Sequence, residues 1–163
     1  AHERILYEIL KQKSENRRPA SQRLLAPETF DLSFAEADVL EKLIPEFEKT
    51  GLFMEPFGGT TFVVKAVPQL LEGREIQPLV REIVERVMET GVAGKLDDAL
   101  DASLKLMACH GAIRAGQKLT DEQIKRLLAQ LEECDTPSNC PHGRPTWIRL
   151  STAFIEKSFY RRG

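Results

Sequence analysis

A cysteine and a histidine stand two positions apart in the segment NCPHGRPTW, residues 139–147, where Pro141, Gly143 and Pro145 all interrupt regular structure. At this spacing the thiol of Cys140 and the imidazole of His142 can turn to one side of an extended or turn segment and hold a divalent ion. Two ligands do not complete a site. Cys109, near the end of a helical pattern in MACHGAIRAG, can supply a third, and the carboxylate of Glu3 or Glu8 a fourth. Sulfur, imidazole and carboxylate together suit zinc or another borderline transition metal better than magnesium. No CxxC or HExxH accompanies them, so a buried or incidental Cys-x-His is the competing reading of the spacing alone.

The other reactive side chains read differently. His110 adjoins Cys109, but neighbours on a helix point about 100° apart, which directs its ring away from a shared site. His2 reads as a solvated residue at a helix start, and Cys134, in the polar stretch EECDTPSN, as a surface residue without a functional role. Arg144, between Gly143 and Pro145, suits either a phosphate or a carboxylate partner. In QRLLAP, Gln22 to Pro27, an amide is followed by two leucines and a proline in an extended run. That is what a peptide seated in a groove requires, though a core-facing strand has the same composition.

The elements that must position these groups can be read from periodicity. Ile5, Leu6, Ile9 and Leu10 form one apolar stripe of a helix that ends around SENRRP, where Pro19 stops it. A short extended segment follows in SQRLLAPETFDLS. Ser33 and Glu36 fit a capping box ahead of a helix that carries Val39, Leu40, Leu43, Ile44 and Phe47 and should kink at Pro45. GLFMEPFGGTTFVVKAVP reads as a hairpin turning at Gly58-Gly59. Helices are expected over about residues 76–90 and 97–115, separated by TGVAGK. A second capping box, Thr120 with Gln123, starts another that reaches about Glu133. PTWIRL reads as a strand and AFIEKSFYRR as a closing helix or tail. Helices dominate and strands come in small groups, which predicts a mixed α+β fold.

Composition sets the outer limits. The 163 residues, 42% hydrophobic, suffice for one domain with a real core, which can be built as two lobes. With 23 basic and 25 acidic residues the formal net charge is −2, so no global positive field draws in nucleic acid and such contacts need a local patch. No apolar run approaches the roughly 18–20 residues that span a bilayer, and no signal peptide is visible, which makes a cytosolic setting the expectation. Three cysteines argue against a disulfide framework. The chain opens without Met into a helical pattern already under way, as a piece of a longer protein does.

Five blocks, AHERILYE, QRLLAP, FGGTTFVVKAVPQLL, ACHGAIRAG and CPHGRPT, occur in an order that resembles the C-terminal domain of the MutL family of DNA mismatch-repair proteins, bacterial members above all. Together they cover nearly the whole chain. Members of that family that nick DNA carry the motif DQHA-x2-E-x4-E at the start of the first helix. Glu3 and Glu8 fall on its two glutamates, with Ala1-His2 as the x2 pair. The resemblance therefore implies the endonuclease-competent branch, with Glu3, Cys109, Cys140 and His142 lining a metal site together with a histidine upstream of Ala1. That histidine and Glu3 would be four apart, on one helix face. Glu3 and Glu8 are five apart, roughly 140° around the helix, which suits Glu8 to an outer or second-metal role as a further acidic catalytic group.

The same resemblance implies that Gln22, Leu24, Leu25 and Pro27 engage the replication sliding clamp. It implies a homodimer formed through a sheet-based lobe, residues 1–20 and 103–163, that carries the metal site, with residues 21–102 as a helix-rich outer regulatory lobe. The implied activity is metal-dependent nicking of duplex DNA in mismatch repair, with zinc organising the site and manganese supporting turnover. MutS and an N-terminal ATPase domain would be further partners, in the bacterial cytosol. The rival expectation is a dimerising, clamp-tethering module whose metal is only structural.

Overall fold

The computed structural model describes residues 1–15, 20–90 and 96–160. Helix α1 (His2–Glu15) buries Ile5, Leu6 and Leu10 of the expected stripe, with Tyr7 buried beside them and Ile9 only partly covered. Strand β1 (Ser21–Asp31) follows, then α2 (Phe34–Thr50), β2 (Phe53–Gly58) and β3 (Thr61–Pro68). A short 3-10 turn (Gln69–Leu71) leads to α3 (Ile76–Thr90), α4 (Leu96–Gly111), α5 (Asp121–Glu132) and α6 (Thr152–Ser158). The fold class is α+β, as the sequence indicates.

β3 lies in the centre of an antiparallel sheet of order β1-β3-β2. Phe62, Val63, Val64, Ala66 and Val67 of this strand are all buried, and apart from the exposed Lys65 a largely apolar run replaces the alternation of a half-exposed strand. The rings of Phe30 on β1 and Phe62 on β3 stack with centroids 6.2 Å apart. One apolar cluster joins this sheet to α1, α2, α3 and α4, with Leu40, Phe47, Leu79, Ile83 and Met107 among its members.

Both expected capping boxes form. Ser33 Oγ accepts from the Glu36 N–H while Glu36 accepts from the Ser33 N–H, and Thr120 with Gln123 repeats the arrangement on α5. The first helical segment, the extended segment and the closing helix stand where they were expected, and the hairpin turns at 59–60, one residue after the expected Gly58-Gly59. α2 is one continuous helix through Pro45, which sits on its exposed side. α4 ends at Gly111, short of the expected 115, and TGVAGK lies largely outside the described residues.

PTWIRL is not a strand. Its one ladder contact is an isolated bridge between Asn139 and Pro145, and Trp147, Ile148 and Leu150 are exposed. A strand needs a neighbour's backbone to pair with, and among the described residues none runs beside 146–150. Local β propensity without a pairing partner leaves an extended segment.

The core makes a stability prediction. Phe62→Ala, at a fully buried and stacked position, is expected to cost about 3–5 kcal/mol, against about 1 kcal/mol for Ser33→Ala at the α2 cap. Urea unfolding with an unchanged denaturant slope measures both.

Candidate metal centre

Glu3 lies in the first turn of α1, where a carboxylate is favoured by the helix dipole. Cys140 and His142 lie in a tight hairpin. The Cys140 N–H donates to the Arg144 carbonyl at 2.8 Å, and the Gly143 N–H donates back to the Cys140 carbonyl at 2.9 Å. Pro141 presets the turn, and Gly143 closes it at φ +85°, a left-handed conformation that a side chain would strain. The Asn139 side-chain amide donates to the Gly143 carbonyl at 3.0 Å, and the Thr146 N–H donates to the Ser138 carbonyl at 2.9 Å. Rigidity of NCPHGRPTW is thus the product of backbone bonds across a proline–glycine turn.

The hairpin meets α1. One ligand atom each from Glu3, Cys140 and His142 lie within 4.8 Å of one another, and among the described residues this is the one His/Cys/Asp/Glu group so arranged. His142 Nδ1 is 3.5 Å from Glu3 Oε2. Cys140 is buried, whereas Glu3 and His142 are partly open, so the cluster has a closed thiol side and an accessible face. A soft sulfur, a borderline nitrogen and a hard oxygen converging at this range fit a zinc-like ion.

Cys109 adjoins this cluster through Glu3 and lies outside the mutually close set. Although the residue as a whole is exposed, burial raises its thiol pKa, and the carboxylates of Glu3, to which it hydrogen-bonds, and Glu82 raise it further, against the guanidinium of Arg144. Two features bring α4, which carries Cys109, close to α1. Tyr7 Oη donates to Asp101 Oδ1 at 2.5 Å, with burial first and then Asp101 pushing the phenol up to about 12. Gly111 then passes close to Leu6 of α1, where an added Cβ would stand 3.3 Å from Leu6 Cδ1, and closer still to Leu70 of the 3-10 turn, 2.9 Å from its Cδ1.

The remaining reactive residues fall elsewhere. His110 Nε2 pairs with Glu82 Oε2 at 2.9 Å, tying α4 to α3 on another face of the helix from Cys109. His2 departs from the solvated role expected of it: its Nδ1 accepts the Ile113 N–H at 2.9 Å, and burial lowers its pKa. The long return of the chain to α1 brings Ile113 there, which sequence spacing does not show. Cys134 is half-buried rather than on the surface. Its Sγ donates to the Gln130 carbonyl at 3.4 Å, and burial followed by Glu8 pushes its thiol up to about 11.

Glu8 faces the turn after α5. Its Oε2 accepts the Asp135 N–H at 2.8 Å and its Oε1 the Thr136 N–H at 3.3 Å. Arg4, which the sequence reading passed over, pairs with Glu8 at 3.5 Å and donates from Nε to the Asn139 carbonyl at 2.6 Å. The i,i+4 spacing of Arg4 and Glu8 was the available signal. Arg144 is exposed and makes no ion pair among the described residues.

In β1, Arg23 pairs with Ala66 and Glu28 with Val64, so residues 24–27 stand opposite Lys65 alone. The surplus chain bulges out of an edge strand. Leu24 packs partly on the core while Leu25 is fully exposed, and Pro27 has no N–H to return to the ladder.

Comparison with known proteins adds an independent finding. Residues 1–119 match the family model of the MutL C-terminal dimerisation domain. The chain is 42% identical over 162 residues to the DNA mismatch repair protein MutL of Azorhizobium caulinodans, covering 99% of this chain and 26% of that protein. The MutL of Geotalea daltonii is 38% identical over 161 residues, covering 99% of this chain and 27% of that protein, and that of Pseudomonas syringae pv. tomato 36% over 161 residues, covering 99% and 25%. The chain therefore spans about a quarter of the length of these curated relatives. With a family match across most of its length and relatives aligned from end to end, the chain belongs to the MutL C-terminal dimerisation domain family.

Proposed function

We propose that this chain is the metal-dependent, DNA-nicking part of a mismatch-repair protein, and that it also dimerises and binds the replication sliding clamp. The observation that carries the reading is the convergence of Glu3, Cys140 and His142 from opposite ends of the sequence onto one partly open cluster. Glu3 and His142 would hold the ion on its accessible side and Cys140 on its buried side, with Cys109 as a fourth donor brought in by Glu3. A divalent ion bound there, zinc or manganese, supplies Lewis-acid charge for hydrolysis of a phosphodiester and acidifies a water. Arg144 is the phosphate-contacting group of this reading, its planar guanidinium suited to two phosphate oxygens.

With a net charge of −2, duplex DNA is held weakly and in a salt-sensitive way, so positioning has to come from partners. The family match supports a homodimer. In the lobe division of this reading, residues 1–20 and 103–163 dimerise and residues 21–102 regulate. The exposed Trp147, Ile148, Leu150 and Phe154 give the first of these an apolar surface to bury. Gln22, Leu24, Leu25 and Pro27 form the clamp-binding segment, for which Leu25 on its bulge is the free apolar knob. MutS and an N-terminal ATPase domain are the other expected partners, in the cytoplasm. No helix of the described residues is long and apolar enough to cross a membrane.

A second reading draws on the burial of Cys140: the ion is structural and the domain a non-enzymatic dimerisation and clamp tether. Nicking of supercoiled DNA by the full protein with added manganese separates the two. Glu3→Gln and His142→Ala are each expected to lower nicking at least a hundredfold while the dimer mass is kept; wild-type nicking by both would sink the enzymatic reading. For the clamp, Leu25→Ala is expected to weaken binding in a surface-resonance measurement at least tenfold. Because Leu25 touches so little, stability should stay within about 0.5 kcal/mol. Unaltered clamp affinity would return this segment to an ordinary edge strand.

A further inference from the structure

We infer that Arg4 and Glu8 are positioning residues, a brace that sets the Cys140–His142 hairpin against α1, and that Glu8 is not a ligand of the metal. The inference rests on the metal-centre reading above and adds to it how the centre is assembled. Glu3, Cys140 and His142 come from elements with no backbone pairing between them, so something else must fix their separation. The bonds that do so are those of Arg4 and Glu8.

The two residues are one helical turn apart on the same stripe of α1, and Glu3 lies roughly 100° around the helix from Arg4. The segment after α5 crosses this face step by step. Its Asp135 and Thr136 N–H groups are held by Glu8, and its Asn139 carbonyl is held by Arg4 Nε at 2.6 Å. The next residue is Cys140, and the hairpin then reaches Glu3. The Arg4 side chain is only 12% exposed, and its guanidinium lies 5.5 Å from the centroid of the Tyr7 ring. Its fork is therefore held on three sides, by Tyr7, Glu8 and Asn139.

Glu8 has both carboxylate oxygens engaged, one by the Asp135 N–H and the other by the Thr136 N–H and Arg4. Charge-assisted bonds to backbone donors are among the strong ones, and breaking them to bind an ion would release the turn that leads to Cys140. Glu8 also lies roughly 140° around α1 from Glu3, directed to the α5 side. An acid that organises the ligand-bearing loop acts on the metal through position, as outer-shell partners do elsewhere, where their loss weakens binding 10–100-fold.

The test is a Co2+ titration of the full protein stripped of metal, read by the thiolate-to-cobalt absorption of Cys140 and by the visible bands that report coordination. Wild type is compared with Arg4→Ala, Glu8→Ala, Glu8→Gln and Glu3→Gln. Arg4→Ala and Glu8→Ala are expected to weaken Co2+ about 10–100-fold with stoichiometry and saturated spectrum unchanged. Glu8→Gln, which retains an oxygen for one amide N–H, should lose less than Glu8→Ala. Glu3→Gln, by contrast, should alter the spectrum itself.

If Glu8→Gln removed an ion or changed the visible bands as Glu3→Gln does, Glu8 would be a ligand and the inference overturned. Unchanged affinity in Arg4→Ala would overturn the brace. Hydrogen exchange at the Cys140, Gly143 and Thr146 amides reads the hairpin without any metal. Faster exchange there in Arg4→Ala, in a protein that binds no Co2+ in any form, would uphold the brace and sink the metal reading; equal exchange in both would sink the brace.

Discussion

α1 has to satisfy two demands at once. Leu6, Tyr7 and Leu10 commit one side of it to the core shared with α4 and the sheet, while Glu3, Arg4 and Glu8 are directed to the chain's returning C-terminal part. Burial of the apolar stripe fixes the helix in place, and that fixed helix gives the charged residues a defined set of directions. Charged groups on a frayed or rotating helix would have no preferred partners. The clustering around Glu3 is in this sense a by-product of core packing, since the same α1–α4 contact that buries Leu10 and Met107 brings Cys109 beside Glu3.

The electrostatics of the centre follow from crowding thiols against carboxylates. The Cys109 and Cys134 pKa values are both raised, by burial and by Glu3 or Glu8 respectively. Without a cation such thiols stay protonated, and a bound cation reverses the sign of the neighbourhood by stabilising thiolate and carboxylate together. The difference between the two cysteines lies in what shares their carboxylate: the Glu3 neighbourhood also holds Cys140 and His142, whereas Glu8 is committed to backbone amides.

The sheet shows a comparable division between support and display. β3 is buried and paired on both sides, which lets β1 carry surplus residues and still pair at both ends, in shifted register. Pairing at Ser21–Arg23 and again at Glu28–Asp31 holds the strand while residues 24–27 leave the ladder. An edge strand tolerates such a bulge because its outer side has no partner to disrupt.

Much of this was legible in the sequence, because the signals concerned are local. Capping boxes at Ser33 and Thr120, the stripe of α1, the glycine turn at 59–60 and the rigid turn around Gly143 each depend on residues within a few positions of one another. The Cys140–His142 pair and its resemblance to a family motif named the candidate ligands. Tertiary structure alone decided that Cys109 reaches the cluster only through Glu3, that His2 is occupied by Ile113, and that Glu8 holds a turn 127 residues away. It also decided that PTWIRL, with every local mark of a strand, has nothing to pair with among the described residues. Propensity and capping are settled by neighbours along the chain, whereas pairing and convergence are settled by which surfaces the core brings together.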